Sequence, residues 1–191
     1  MKLVLASTSP FRKAILEKLG IKFDIASPNT DETAFDGESP KSVVERLSIA
    51  KAKAVADTVS DSLVIGSDQI SVIDGEIIGK PHTHENAVKQ LQKASGNTAT
   101  FYTGLCLYNS ETKQYQSEVV TFDVVFRNLS VQQIEKYLLK EEPYNCAGSF
   151  KSEALGIVLF EKLVGDDPNT LMGLPLIRLV KMLEKENFPV L

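Results

Sequence analysis

Two serines, an arginine and a lysine crowd the first thirteen residues, in Lys2-Leu-Val-Leu-Ala-Ser-Thr-Ser-Pro-Phe-Arg-Lys13. Leu3 to Ala6 reads as a short buried strand, Ser9 suits an N-cap, and Pro10 suits the first helical position. Arg12 and Lys13 then fall in the first helical turn. There the helix dipole is positive and orphan backbone N–H groups point outward, so the local field favours an anion over further cations. A phosphate resolves that conflict: Ser7, Ser9, backbone donors and a guanidinium would converge as a polyphosphate cradle. An ordinary capped helix with solvated basic side chains accounts for the same residues.

Carboxylates supply the second ingredient. Asp68 interrupts the apolar run Val64-Ile-Gly-Ser-Asp-Gln-Ile-Ser-Val72, where an ionised group is costly unless paired, metal-bound or at an exposed strand end. Gly66 just before it allows a ligand or another backbone to come close. Asp31-Glu32 lies in a polar loop, open to a metal or catalytic role or to plain solvation. Lys80 leaves a strand in Gly79-Lys80-Pro81 and can hold an ammonium over a pocket or simply face water. Lys151 and Glu153 are two residues apart, so an extended chain puts both on one face, toward a ligand or as a surface ion pair.

Other chemistries fit poorly. Gly75-Glu-Ile-Ile-Gly79-Lys80 has one residue too few for a P-loop, and Pro81 stands where a magnesium-binding hydroxyl belongs. No glycine-rich dinucleotide fingerprint occurs. His82 and His84, the only histidines, lack the nearby partners a zinc site needs. Gly66-Ser67-Asp68 begins a nucleophile elbow and does not complete it.

The elements that must position these groups alternate between strand and helix. After the first helix, from Pro10 to about Leu19 and closed by Gly20, the pattern predicts a strand over Lys22 to Ala26. Ser39-Pro40 opens a helix to about Asp57 with Val43, Val44, Leu47, Ala50, Ala54 and Val55 at helical spacing. A long strand over Leu63 to Ile73 turns at Asp74-Gly75 into Glu76 to Ile78. A helix from Glu85 to Ala94 precedes two long strands, Thr98 to Tyr108 and Gln114 to Arg127, joined by Asn109 to Lys113. Ser130 caps a helix to about Leu139, Gly156 to Leu163 reads as a strand, and Leu171 to Glu186 as the closing helix. The plan is α/β with a mixed sheet.

With 191 residues and 43% hydrophobic composition the chain can bury a substantial core. No stretch approaches the ~20 apolar residues of a membrane span, and the start lacks a signal peptide's hydrophobic region. Cys106 and Cys146 sit apart without metal-type spacing, which suggests reduced thiols and a cytoplasmic protein. A net charge of −4 with no long basic run argues against nucleic acid as a partner, so phosphate recognition is expected to be local.

Taken together, several segments resemble the Maf-like nucleoside triphosphate pyrophosphatases along nearly the whole chain. They are Ala6-Ser-Thr-Ser-Pro-Phe-Arg12, Asp31-Glu32, Glu45-Arg-Leu-Ser-Ile-Ala-Lys-Ala52, Gly66-Ser-Asp-Gln69, Gly79-Lys-Pro81, Ser95-Gly96, Cys146-Ala-Gly-Ser-Phe-Lys-Ser-Glu153 and Asn169-Thr-Leu-Met-Gly-Leu-Pro175. The resemblance implies one domain over residues 1–191 with a two-lobed fold like that of inosine triphosphate pyrophosphatases, built around a central cleft. It also implies a hydrolase that cuts a nucleoside triphosphate between its α and β phosphates with a divalent metal, magnesium or manganese.

By the same resemblance Asp68 accepts a proton from water, and Lys51, Lys80 and Glu32 complete the catalytic set. Ser7, Ser9, Arg12 and Lys13 hold phosphates, while Glu32 and Asp68 hold the metal. Phe11, Gln69 and Glu153 select the base. Gly66-Ser-Asp-Gln-Ile70 looks like the branch acting on 7-methyl-GTP, since the dTTP and UTP branch usually carries Ala-Asp-Thr there. Phe11 stands where the family often has the first of two arginines, and a flat ring suits a cationic methylated base. Lys13 in place of the second keeps the charge and loses the bidentate fork. A dTTP/UTP pyrophosphatase and a non-catalytic nucleotide-binding regulator of cell division stand as alternatives, and a homodimer is compatible with the sequence.

Overall fold

Leu3, Val4, Leu5 and Ala6 are all buried, as expected of a strand covered on both faces. In the computed structural model, which describes residues 1–191, they form β1 (Lys2–Ala6), followed by α1 (Pro10–Glu17), β2 (Asp24–Ala26), α2 (Pro40–Ala56), β3 (Ser62–Ile73) and β4 (Glu76–Ile78). The remaining elements are α3 (His84–Ala94), β5 (Thr98–Asn109), β6 (Tyr115–Phe126), α4 (Val131–Glu141), β7 (Phe160–Val164) and α5 (Leu176–Lys185). The strands form a seven-stranded mixed sheet in the order β2-β1-β3-β5-β6-β7, with β4 paired to β3. The chain divides into two units: Met1–Gln69, Thr103–Val120 and Asp167–Leu191 form the first, and Ile70–Tyr102 with Thr121–Asp166 the second.

In the first unit β1 runs parallel to both β2 and β3, with Val4 opposite Asp24 and Leu5 opposite Ile65. Alternation along the strands sorts the core into two layers. Leu3, Leu5, Leu63, Ile65, Leu105 and Leu107 pack with Ile15 and Leu16 of α1 and Leu179, Met182 and Leu183 of α5. Val4, Ala6, Val64, Cys106 and Tyr108 pack on the other side with Ala52, Val55 and Ala56 of α2. Burial of Cys106 pushes its thiol up to about 12, so it behaves as a small apolar residue. No helix is long and apolar enough to cross a membrane.

Gly66 and Gly104 explain how closely α2 lies on this sheet. A Cβ at Gly66 would stand 2.1 Å from the Ser48 carbonyl oxygen, and one at Gly104 would stand 2.1 Å from that of Val44. The close approach anticipated at Gly66 is thus made by a helix backbone.

In the second unit the end of β3 turns back into β4, with Ser71 opposite Ile78. Asp74 and Gly75 both have positive φ, the conformation expected of this hairpin pair. The end of β6 pairs with β7, and Phe101, Phe126, Phe150 and Phe160 meet edge to face at centroid separations of 5.1–5.6 Å. Helix α4 starts in a reciprocal capping box between Ser130 and Gln133.

Two expected elements differ. Gly156 to Leu163 is not one strand: Leu155–Leu159 form a 3-10 turn and β7 begins at Phe160. The Gly156 amide donates to Lys151 O, and a Cβ at Gly156 would lie 2.3 Å from that oxygen, so the chain is folded on itself there rather than extended. The closing helix does not run from Leu171. Pro168–Met172 form a 3-10 turn, Gly173 at φ +94° ends it, and α5 starts only after Pro175.

Candidate active site

The first unit gathers a buried ionic cluster. Lys51 on α2 is 5% exposed and Asp68 on β3 is 8% exposed. Lys51 Nζ donates to Asp68 Oδ1 at 2.7 Å and stands 2.6 Å from Glu32 Oε1. Two carboxylates therefore share one ammonium, and the glycine contact between α2 and β3 brings the helix near enough for the link. Glu32 is the exposed member, its side chain 62% accessible.

Arg12 belongs to the same neighbourhood. Its Nε donates to Gly173 O at 2.9 Å and its Nη1 to Ser7 Oγ at 3.4 Å, two of the five N–H donors a guanidinium carries. Burial pushes the guanidinium down from its ordinary value, and the carboxylates of Asp68 and Glu32 pull it back up. Arg12 and Lys51 balance Asp68 and Glu32, so the cluster as it stands has no net charge.

The turn before α1 is built from its own hydroxyls. Ser9 caps the helix, its Oγ accepting from Arg12 N, while Ser7 Oγ accepts from Ser9 N. Phe11 is exposed on the first turn. Lys13 lies on the outer surface in an i,i+4 ion pair with Glu17 at 3.7 Å, an arrangement worth little in water.

Behind the charges runs a polar network that the sequence reading did not anticipate. The buried Ser67 hydroxyl faces Gly104 O at 2.9 Å and Gly173 O at 2.8 Å. Gln69 Nε2 donates to Thr103 Oγ1 and to Thr170 O, both at 2.8 Å. Gln69 therefore braces β5 and the 168–172 turn with its amide nitrogen. Gly173 serves twice, accepting from both Arg12 and Ser67, and its positive φ favours glycine. The signal available in advance was the run Ser67-Asp68-Gln69, three polar residues inside an apolar strand.

Loop 27–39, which carries Asp31 and Glu32, has neither strand nor helix. Asp31 closes a small turn by accepting from the amide and hydroxyl of Thr33. Glu38 takes a bidentate contact from Arg46 at 2.8 and 2.7 Å. That contact, with the Phe35 amide adding to it, holds the Glu38 carboxyl down at about 2 from 4.5. A carboxyl depressed in the folded state stabilises the fold above its unfolded value and loses that contribution as pH falls toward the folded one. Glu38→Gln is accordingly expected to flatten the acid limb of stability between about pH 4.5 and about pH 2, measured as thermal midpoint against pH.

The second unit holds the other anticipated groups. Lys80 and Glu153 are exposed, and both act electrostatically on Cys146, whose thiol is pushed up mainly by burial. Lys151 and Glu153 do not share an extended face. Residues 152–154 form a turn, and Lys151 Nζ binds Glu141 at its backbone oxygen (2.9 Å) and Oε1 (3.1 Å). Lys151 thereby ties down the end of α4, whose last carbonyls lack helical partners. His84 is held between Tyr144 Oη and Glu135 Oε2. No group of three or more His, Cys, Asp or Glu side chains gathers in a metal-holding arrangement.

The family model of Maf-like proteins matches residues 2–186. A 7-methyl-GTP pyrophosphatase of Colwellia psychrerythraea is 59% identical over 189 residues, covering 99% of this chain and 94% of that protein. Among solved structures, the Staphylococcus aureus Ham1 protein aligns with TM-score 0.54 at 16% identity, covering 97% of this chain and all of that one. A HAM1 protein from Coxiella burnetii aligns with TM-score 0.54 at 12% identity, covering 97% and 99%. At those identities the two structures share the fold, and at 59% identity the sequences share ancestry along their whole length. The chain belongs to the Maf-like protein family.

Proposed function

We propose that the chain hydrolyses 7-methyl-GTP to 7-methyl-GMP and pyrophosphate. The observation that carries the reaction is Lys51 held between Asp68 and Glu32 beside the half-buried Arg12. The substrate is suggested by the extensive identity to a protein named for it.

Hydrolysis of a phosphoanhydride is slowed by repulsion between the anionic substrate and the incoming oxygen, so the protein must supply fixed positive charge and an oriented acceptor for the water's proton. Arg12 and the Ser7–Ser9 turn bind phosphate oxygens. Asp68, fixed by Lys51 on a rigid strand, takes the proton as the water oxygen bonds to phosphorus and the α–β anhydride bond breaks. Phosphate binding shifts the charge balance around Lys51, whose ammonium then answers the negative charge that develops.

The family resemblance implies a divalent metal, and the donors present suit one. Glu32 and Asp68, both bound to Lys51 Nζ, would offer it hard carboxylate oxygens, and magnesium is commonly held by one or two carboxylates with water and substrate phosphates completing the shell. Bound there, such an ion would supply further charge neutralisation and a more acidic water. Lys80, Glu153, Phe11 and Gln69 enter this reading through the sequence resemblance alone, which gives Phe11, Gln69 and Glu153 the selection of the base.

Side-by-side hydrolysis of 7-methyl-GTP, GTP, dTTP and UTP, with pyrophosphate as the measured product, tests both halves. Preference for 7-methyl-GTP is expected. Equal rates on all four end the selectivity claim, preference for dTTP and UTP assigns the other branch, and binding without pyrophosphate release makes the chain a regulator.

A further inference from the structure

Glu32 sits on a loop that has no backbone ladder to hold it, yet its carboxylate meets the Lys51 ammonium at 2.6 Å. Ordering such a loop costs conformational entropy, and a tie must offset it. The tie is Arg46 of α2. Its fork grips both oxygens of Glu38, the same Nη2 reaches Thr33 O at 3.1 Å, and its guanidinium carbon lies 4.1 Å from the centroid of the Phe35 ring. Phe35 N in turn donates to Glu38 Oε2 at 3.1 Å. One guanidinium thus fastens residues 33, 35 and 38, beginning at the residue after Glu32. The arrangement also accounts for Phe35, an aromatic ring left 64% exposed, whose apolar face serves the cation.

We propose that Arg46 is a positioning residue for Glu32: it stakes the loop so that the Glu32 carboxylate stands at Lys51 before substrate arrives. Arg46 and Lys51 share one helix, so the stake and the target move as a body. Lysine cannot substitute, because it lacks both the fork for Glu38 and the flat face for Phe35. The proposal rests on the reading of Glu32 as part of the hydrolytic site.

A double-mutant cycle in the full chain separates positioning from mere stability. Arg46→Met and Arg46→Lys are each expected to lower kcat about 10–100-fold, the range typical of groups that orient a ligating side chain. Adding Arg46→Met to Glu32→Gln is expected to cost little more, since the residue it positions is already gone. Amide exchange in residues 29–37 should rise in Arg46→Met while that of β1 and β3 stays protected. Should Arg46→Met fail to fold, Glu38→Gln keeps the side chain's shape, weakens the same grip, and is expected to show the same non-additivity with Glu32→Gln. Fully additive losses overturn the proposal, as does normal turnover in Arg46→Met alongside a crippled Glu32→Gln. Normal turnover in Glu32→Gln overturns the reading of Glu32 and the positioning claim with it.

Discussion

Asp68→Asn is expected to cut pyrophosphate release by about 10²–10⁴-fold, the usual contribution of a positioned general base, while the protein stays folded. Breaking a buried ion pair by removing one partner ordinarily costs about 3–5 kcal/mol, because a charge is left uncompensated in the interior. Here the stranded charge is not alone: Lys51 keeps Glu32 at 2.6 Å. The Asn carbonyl oxygen can also still accept from the ammonium where Asp68 Oδ1 did, at 2.7 Å. Stability should therefore fall by less than that figure, and the loss should be concentrated in kcat, with nucleotide binding retained through Arg12 and the Ser7–Ser9 turn. Turnover and thermal midpoint measured on the same preparation check this. A variant that hydrolyses at the wild-type rate removes Asp68 from the chemistry, and one that is simply unfolded makes it structural.

Gly66→Ala should be among the most destabilising single-methyl changes in the molecule. The added carbon would stand 2.1 Å from Ser48 O and 2.7 Å from Ala52 N, which are four residues apart on α2 and so flank one of the helix's own hydrogen bonds. No rotamer change relieves a clash with backbone, and the helix itself must shift. Overpacking of this kind costs about 1–3 kcal/mol or somewhat more, which for a chain of this size lowers the melting temperature by roughly 2–12 °C. The shift also moves Lys51, which lies between the two atoms in sequence, away from Asp68. Activity and stability should consequently fall together. Gly79→Ala, with nothing within 4 Å of its Cβ position, is the control and should melt close to wild type. Equal melting temperatures for Gly66→Ala and wild type would mean that α2 is not seated on β3 as described.

Much of this architecture was legible in the chain. Elements with a strong local signal came out close to their observed limits: the Ser39 and Ser130 caps, the Asp74-Gly75 turn and the alternating apolar strands each encode their conformation in neighbouring residues. The 155–164 segment and the start of α5 did not, because their shape follows from a glycine backbone pressed against Lys151 and from the left-handed conformation at Gly173, neither of which periodicity reveals.

The site divides along the same line. The residue types at Ser7, Ser9, Arg12 and Asp68 announced phosphate chemistry by themselves: a cation at a helix start and an acid inside an apolar strand are unfavourable unless they have partners. Which partners they take is a matter of long-range packing. Lys51 reaches Asp68 from seventeen residues away and Arg12 reaches Gly173 from one hundred and sixty-one. Arg46 stands in the resembling segment Glu45–Ala52, yet its grip on residues 33, 35 and 38 exists only once loop 27–39 lies against α2. Local sequence sets which conformation each segment prefers and which charges need company. Only the closed chain, by bringing α2 onto Gly66 and the 168–172 turn onto β5, decides who supplies it, since such contacts depend on distance in space and leave no regular spacing along the sequence.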